Sequence, residues 1–249
     1  MLSDAQVGAF HRDGYVLVRE FIDRATMAAI TGWADEVVAY PEVPGRHMAY
    51  YEDHLHETGG RVLSRIENFC PFHDCFDALL RSGDTVQAVS QLFAEDAVLF
   101  KEKINFKLPG SDGFKPHQDV QAGWDAYAPL HITLLLSIDA ATPENGCLEI
   151  APGHHRSGLL GPQWEPLADE LAGVDYVACP TLPGDVILFD SFIPHRSFPN
   201  ATSGQRRVLY VTYNAASAGD HREKYYADKR ASYPPDCERL VGERYSFRV

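Results

Sequence analysis

From Ala97 onward the chain changes period. In KINFKL, Ile104, Phe106 and Leu108 alternate with Lys103, Asn105 and Lys107, and the runs LHITLLLSIDA, GCLEIAP, DVILFD and RVLYVTYNA follow. Turn signals such as Thr142-Pro143-Glu144-Asn145-Gly146 and Pro183-Gly184-Asp185 separate them. Residues two apart in an extended chain share a face, so alternation of this kind predicts strands with unlike faces. Short strands divided by tight turns predict antiparallel β structure through the C-terminal two-thirds.

The N-terminal third reads differently. Ser3-Asp4-Ala5-Gln6 fits a capping box, Val7 and Phe10 share a helical face, and Gly14 supplies a left-handed stop, which predicts a helix over 3–13. YVLVRE then reads as a strand. Asp23 caps a second helix in which Met27, Ile30, Trp33 or Ala34, and Val37 recur at helical spacing to about Ala39. A third helix is predicted near Asp84–Phe93. Residues 40–64 are too irregular for a periodic element but rich in hydrogen-bonding groups, and read as a long functional loop. Helices followed by short strands predict a mainly β fold with flanking helices: a double-sheet jelly roll with the N-terminal helices packed on one sheet. The length of 249 residues, with no linker-like stretch, predicts a single domain over 1–249.

With 22 Lys and Arg against 35 Asp and Glu, the net charge is −13, which repels phosphate backbones and anionic lipid heads over most of the surface. No nucleic-acid or membrane role is expected. The first residues lack a basic region followed by an apolar run, which predicts a cytoplasmic protein. The five cysteines include no CxxC, so reduced, mostly buried thiols are expected. No oligomer signal is legible.

His117-Gln118-Asp119 places an imidazole and a carboxylate on one face of an extended stretch, a chelating geometry. Alone it is weak, because 11 histidines produce such pairs by chance. His11-Arg12-Asp13 is a control within the same chain: it falls on the predicted first helix, where residues two apart diverge, and reads as surface polarity. The third candidate is His195, at the end of DVILFDSFIPH. Two histidines and a carboxylate on one side of a metal leave positions open, as in non-haem Fe(II) oxygenases. Arg206 follows across the polar turn FPNATSGQ, and a return strand carries its guanidinium back toward the metal, where its fork suits a carboxylate. Arg207 points to the other face.

Taken together, His117-Gln118-Asp119, the stretch NGCLEIAPGHH at 145–155, Gly184-Asp185, and His195-x-Ser197-x-x-Asn200 followed by Arg206 resemble the phytanoyl-CoA dioxygenase family of Fe(II)/2-oxoglutarate oxygenases, from about Ser3 to Tyr213. The resemblance implies a cupin-like double-stranded β-helix with iron bound by His117, Asp119 and His195. It implies 2-oxoglutarate as cosubstrate, held at its far carboxylate by Arg206 and Ser197, with O2 as the oxidant. Gln118, Thr133, Arg65 and Lys103 are implied as further cosubstrate contacts. Related halogenases carry a small residue where this chain has Asp119, so the resemblance implies hydroxylation.

The substrate is expected to be a small polar metabolite. Arg46, Tyr50, Tyr51, His54, His56 and Arg61 from the loop, with Trp124 and Tyr127, supply charge for an anion and rings for an ammonium or apolar chain. Tyr50, Tyr51, His56, Arg61, Trp124 and Tyr127 are the substrate-binding candidates. The tail HREKYYADKRASYPPD is similar to those of small-metabolite members of the family, some acting on aminoalkylphosphonates; it also reads simply as a surface helix with a Lys224–Asp228 pair. A zinc hydrolase using the same three ligands, and a barrel that only binds small molecules, remain as alternatives. The hydrolase has no need of Arg206.

Overall fold

The structure, a computed structural model, describes residues 1–169, 171 and 173–245. The chain runs α1 (Asp4–Asp13), β1 (Tyr15–Val18), α2 (Arg24–Val38), β2 (Met48–Asp53), β3 (Arg61–Glu67), α3 (Asp74–Arg81) and α4 (Gly83–Phe93). It continues through β4 (Ala97–Lys107), β5 (Phe114–His117), β6 (His131–Ser137), β7 (Leu148–Ile150), β8 (Val177–Cys179), β9 (Val186–Asp190), β10 (His195–Ser197) and β11 (Arg206–Ala215) to α5 (Arg222–Ser232). A seven-stranded sheet, β1-β9-β6-β11-β4-β3-β2, packs on a four-stranded one, β5-β10-β7-β8. All the named strand pairs are antiparallel. This is the double-stranded β-helix.

The helices begin where their caps dictate. The Ser3 side chain accepts from the Gln6 amide while Gln6 reaches back to the Ser3 amide, and Gly14 at φ 82° ends α1. The Asp23 carboxylate accepts from the amides of Ala25 and Thr26 to start α2. The apolar faces of α1, α2, α3 and α4 form one core with the outer face of the large sheet, including Ile104, Phe106, Leu134 and Leu209. A second, smaller core of Leu135, Leu148, Ile150, Ile187, Phe189 and Val208 lies between the sheets.

These two cores decide which face of β4 turns inward. Ile104 and Phe106 face the helices, so Lys101, Asn105 and Lys107 turn toward the small sheet and are buried there. The polar stripe of β4 is thus interior, and it fills one end of the barrel with charge. The expected loop at 40–64 is corrected too: much of it is the hairpin of β2 and β3. Met48, Ala49 and Tyr50 are buried in succession in β2, so the strand shows no period-two alternation. Helix α3 was not anticipated either. Cys70, Cys147 and Cys179 are buried, whereas Cys75 and Cys237 are exposed; all five are free thiols. Among the described residues, no helix is long and apolar enough to cross a membrane.

Candidate active site

Strand β5 ends at His117 and β10 begins at His195, and the two residues are direct partners in the ladder. That pairing sets the imidazoles side by side, tilted 55° to each other with ring centroids 4.2 Å apart. Gln118 is extended (φ −110°, ψ 135°), so Asp119 emerges on the same side as His117 before the chain turns into a short 3-10 helix. Asp119 Oδ1 lies 4.0 Å from His117 Nε2 and 3.9 Å from His195 Nε2. These separations exceed hydrogen-bond reach, so three polar groups, His195 buried and the other two half-buried, converge without satisfying one another. Their ligand atoms fall within 4.8 Å, the one such cluster among the described residues. This donor set fits a divalent metal with open positions.

The surroundings prepare the triad. His117 Nδ1 lies 2.7 Å from the Lys115 carbonyl and His195 Nδ1 lies 3.0 Å from the Ile193 carbonyl. A carbonyl only accepts, so Nδ1 carries the proton and the Nε2 lone pair points toward Asp119. Burial, reinforced by His195, pushes the His117 pKa down to about 3, and burial also lowers that of His195, leaving both rings neutral. Burial opposes the charged form of Asp119, but His195, His117 and Lys103 outweigh it and hold the carboxyl below its ordinary range. Thr133, an expected cosubstrate contact, donates its hydroxyl to Asp119 Oδ2 at 3.3 Å and lies 2.9 Å from Thr212 Oγ1. It therefore fixes the carboxylate.

Beneath the triad is a second polar site. Arg206 opens β11 opposite Lys107 of β4. Its Nη2 donates to the Gly146 carbonyl at 2.9 Å, while its buried Nε has no hydrogen-bond partner. Lys107 Nζ donates to Ser197 Oγ at 2.8 Å and to the Phe198 carbonyl. Burial, then Arg206, pushes the Lys107 pKa down to about 7. Two cations packed together with an orphaned donor fit a carboxylate. Lys107 was missed in the sequence although it shares a face with Lys103. Arg207 points outward, as expected, onto Asp139 and Asp35.

Gly146 guards this site. It sits at φ 75°, and a Cβ there would lie 2.1 Å from the Phe198 carbonyl oxygen and 2.8 Å from Lys107 Nζ. Gly146→Ala is expected to cost about 2 kcal/mol or more, read as a lowered denaturant midpoint, because backbone strain and a backbone clash combine.

A cavity of about 370 Å³ opens beside His117 and Asp119. The large sheet gives it Arg65, Glu67, Lys101 and Lys103, loops give Trp124, Tyr127 and Trp164, and α5 gives Tyr225, Asp228 and Lys229. Trp124 and Tyr127, two of the expected substrate-binding residues, line this cavity. Tyr50, Tyr51, His56 and Arg61 are off the wall, because β2 is the edge strand beyond β3. Tyr50 lies behind Arg65, whose guanidinium is 4.4 Å from its ring, and donates to the Tyr233 carbonyl. Tyr51 donates to Glu42, Arg61 pairs with Asp236, and His56 is exposed. Gln118 is also corrected: its amide donates to the Gly158 and Phe192 carbonyls and accepts from the Leu160 amide, so it anchors loops and turns away from the triad. Lys101, Glu67, Tyr225 and Lys229 were missed.

A double-stranded β-helix with this triad at one mouth and a buried Arg-Lys-Ser site beneath it defines a non-haem iron oxygenase architecture. The phytanoyl-CoA dioxygenase family pattern matches residues 10–208, and the chain belongs to that family. It is an Fe(II)- and 2-oxoglutarate-dependent dioxygenase with a small-molecule substrate. It is 40% identical over 238 residues to the 2-aminoethylphosphonate dioxygenase of Uncultured bacterium HF130_AEPn_1, covering 94% of this chain and 90% of that one. It is 39% identical over 234 residues to the methylphosphonate hydroxylase of Gimesia maris, covering 93% and 88%. In fold it is similar to EctD from S. alaskensis, solved with 2-oxoglutarate and 5-hydroxyectoine, with a TM-score of 0.74 at 23% identity over 87% of this chain and 77% of that one.

Proposed function

We propose that the enzyme hydroxylates a C–H bond of a small phosphonate, with an aminoalkylphosphonate or a simple alkylphosphonate as substrate. In this reading His117, Asp119 and His195 hold iron(II), and Arg206, Ser197 and Lys107 hold the far carboxylate of 2-oxoglutarate. The observation that carries the substrate class is a pair of ammonium groups on the cavity wall whose donors are unfilled. Lys101 is only 5% exposed, and neither it nor Lys103 makes a side-chain hydrogen bond or ion pair among the described residues. Lys101 Nζ is 4.9 Å from the Trp124 centroid and Lys103 Nζ is 4.9 Å from that of Tyr210, while Glu67 and Asp119 feel both charges without a hydrogen bond to either. Buried cations with unfilled donors are costly, and a dense anion relieves that cost. The names of the two relatives in the preceding paragraph agree with this chemistry.

Bound iron(II) and 2-oxoglutarate supply O2-dependent C–H hydroxylation coupled to release of succinate and CO2. The chain's residues do the rest. Burial keeps the two imidazoles neutral, the Lys115 and Ile193 carbonyls aim them, and Thr133 steadies Asp119. Lys101 and Lys103 orient the anionic head so that the neighbouring carbon faces His117 and Asp119, while Trp124, Tyr127 and Tyr225 exclude water. A hydrolase has no need of the orphaned Arg206 Nε, and a barrel that only binds predicts no loss of turnover from Asp119→Ala.

Incubation with 2-aminoethylphosphonate or methylphosphonate is expected to release succinate and give a new phosphorus resonance from a hydroxylated product. Succinate without product on either compound overturns the reading. In Lys101→Met, kcat/KM for the phosphonate is expected to fall about 100-fold, with the KM for 2-oxoglutarate unchanged. Its melting temperature is expected to hold, because the substitution breaks no hydrogen bond or close ion pair and removes a buried charge. Retained activity in a less stable variant would make Lys101 structural.

A further inference from the structure

Helix α5 lies beyond residues 10–208, the span matched by the family pattern, and yet it walls the cavity. The groups assigned above to iron and 2-oxoglutarate all fall inside that span. We propose that Lys229 of α5 is a specificity-determining residue that completes the anion site with Lys101 and Lys103, contacting the phosphonate of the substrate. The inference rests on the phosphonate reading above and deepens it.

The bland account of Lys229 is that it fastens the helix, and the structure gives that task to other groups. Arg222 grips the fully buried Glu102 with both nitrogens, one at 2.9 Å, and the Tyr226 hydroxyl donates to the Glu102 carbonyl at 3.0 Å. Tyr225 packs 4.6 Å from Phe100, and Arg230 pairs with Glu238. Asp228 faces the mouth, where it takes the Tyr127 hydroxyl and Lys224.

Lys229 instead reaches Glu67 on the cavity wall, 2.6 Å from Oε2. Glu67 Oε1 already accepts from Arg65 Nε at 2.7 Å, so Glu67 stays paired when Lys229 turns part of its charge to an incoming anion. An ammonium has three donors and Glu67 takes one; the group otherwise faces the rings of Tyr50 at 5.5 Å and Tyr225 at 5.8 Å. Glu67 thus holds Lys229 ready beside Lys101 and Lys103.

The test is calorimetric titration of methylphosphonate and of 2-aminoethylphosphonate into protein loaded anaerobically with iron(II) and 2-oxoglutarate, which reads binding without turnover. Lys229→Gln is expected to weaken phosphonate binding about tenfold or more, the loss of one charged hydrogen bond, and Lys229→Arg to retain most of it. Lys229→Gln leaves Glu67 with one partner, so the charge-neutral pair Glu67→Gln/Lys229→Gln serves as the second variant. It is expected to fold and to bind phosphonate as weakly. Wild-type affinity in the double variant overturns the inference while the phosphonate reading stands, provided that Lys101→Met has lost affinity. Absence of binding by the wild-type protein overturns the phosphonate reading itself.

Discussion

Asp119→Ala is expected to bring succinate release down by at least about a thousandfold, more than 4 kcal/mol of transition-state stabilisation, in a protein that remains folded. The carboxylate supplies one of three ligand atoms and the only charged one, since burial keeps His117 and His195 neutral. Two neutral imidazoles alone leave a divalent ion weakly held. Structurally, Asp119 gives up little: its carboxylate takes a 3.3 Å bond from Thr133 and lies beyond hydrogen-bond distance of both histidines. The melting temperature is therefore expected to stay within roughly 4 °C of the parent, about 1 kcal/mol for a chain of this size. Anaerobic addition of iron(II) and 2-oxoglutarate gives a second readout, because the visible charge-transfer band of the chelated keto acid should vanish with the activity. Undiminished turnover in the variant would put the iron elsewhere.

Parts of this site were legible because they depend on local rules. His117 and Asp119 are two apart in extended chain, and a strand running into His195 places it at a barrel mouth, so the triad follows from period-two geometry. Arg206 and Arg207 on opposite faces follow from the same rule, and Ser3, Gly14 and Asp23 announce the first helices through capping chemistry. What stayed hidden depends on which side of a strand is inside. In β4 either face could have been the wet one. Only the helices packed on Ile104 and Phe106 show that Lys101 and Lys107 are interior. In β2 three successive buried residues, Met48, Ala49 and Tyr50, replace the alternation that marks a strand, so the first half of the hairpin looks like loop. The resemblance implied Gln118 as a cosubstrate contact, but neighbours in an extended chain point to opposite faces and Gln118 turns away from its two flanking residues. Lys229 required the docking of α5, which no local pattern specifies.

Arg206→Leu is expected to raise the KM for 2-oxoglutarate about 100-fold, because a buried guanidinium with an unused Nε is worth more to a carboxylate than an exposed one. Its consequence for pH is sharper. Lys107 faces Arg206 on β11, Glu52 on β2, Asp112 in the turn after β4, and Cys147 before β7; burial, then Arg206, brings its pKa to about 7 from an ordinary 10.5. Below about 7 the free enzyme carries the ammonium and attracts a carboxylate; above it, binding must first take up a proton. The affinity for 2-oxoglutarate is therefore expected to be highest on the acid side and to weaken as pH rises through about 7, by no more than tenfold per unit. Removing Arg206 removes the second cause of the depression, so Arg206→Leu should bind weakly throughout and shift that midpoint upward. Lys107→Met should flatten the profile. Titrating the anaerobic charge-transfer band with 2-oxoglutarate between pH 6 and 9 (roughly one unit below to two above the expected midpoint) reads both effects, and a profile that Lys107→Met leaves intact would remove Lys107 from the cosubstrate site.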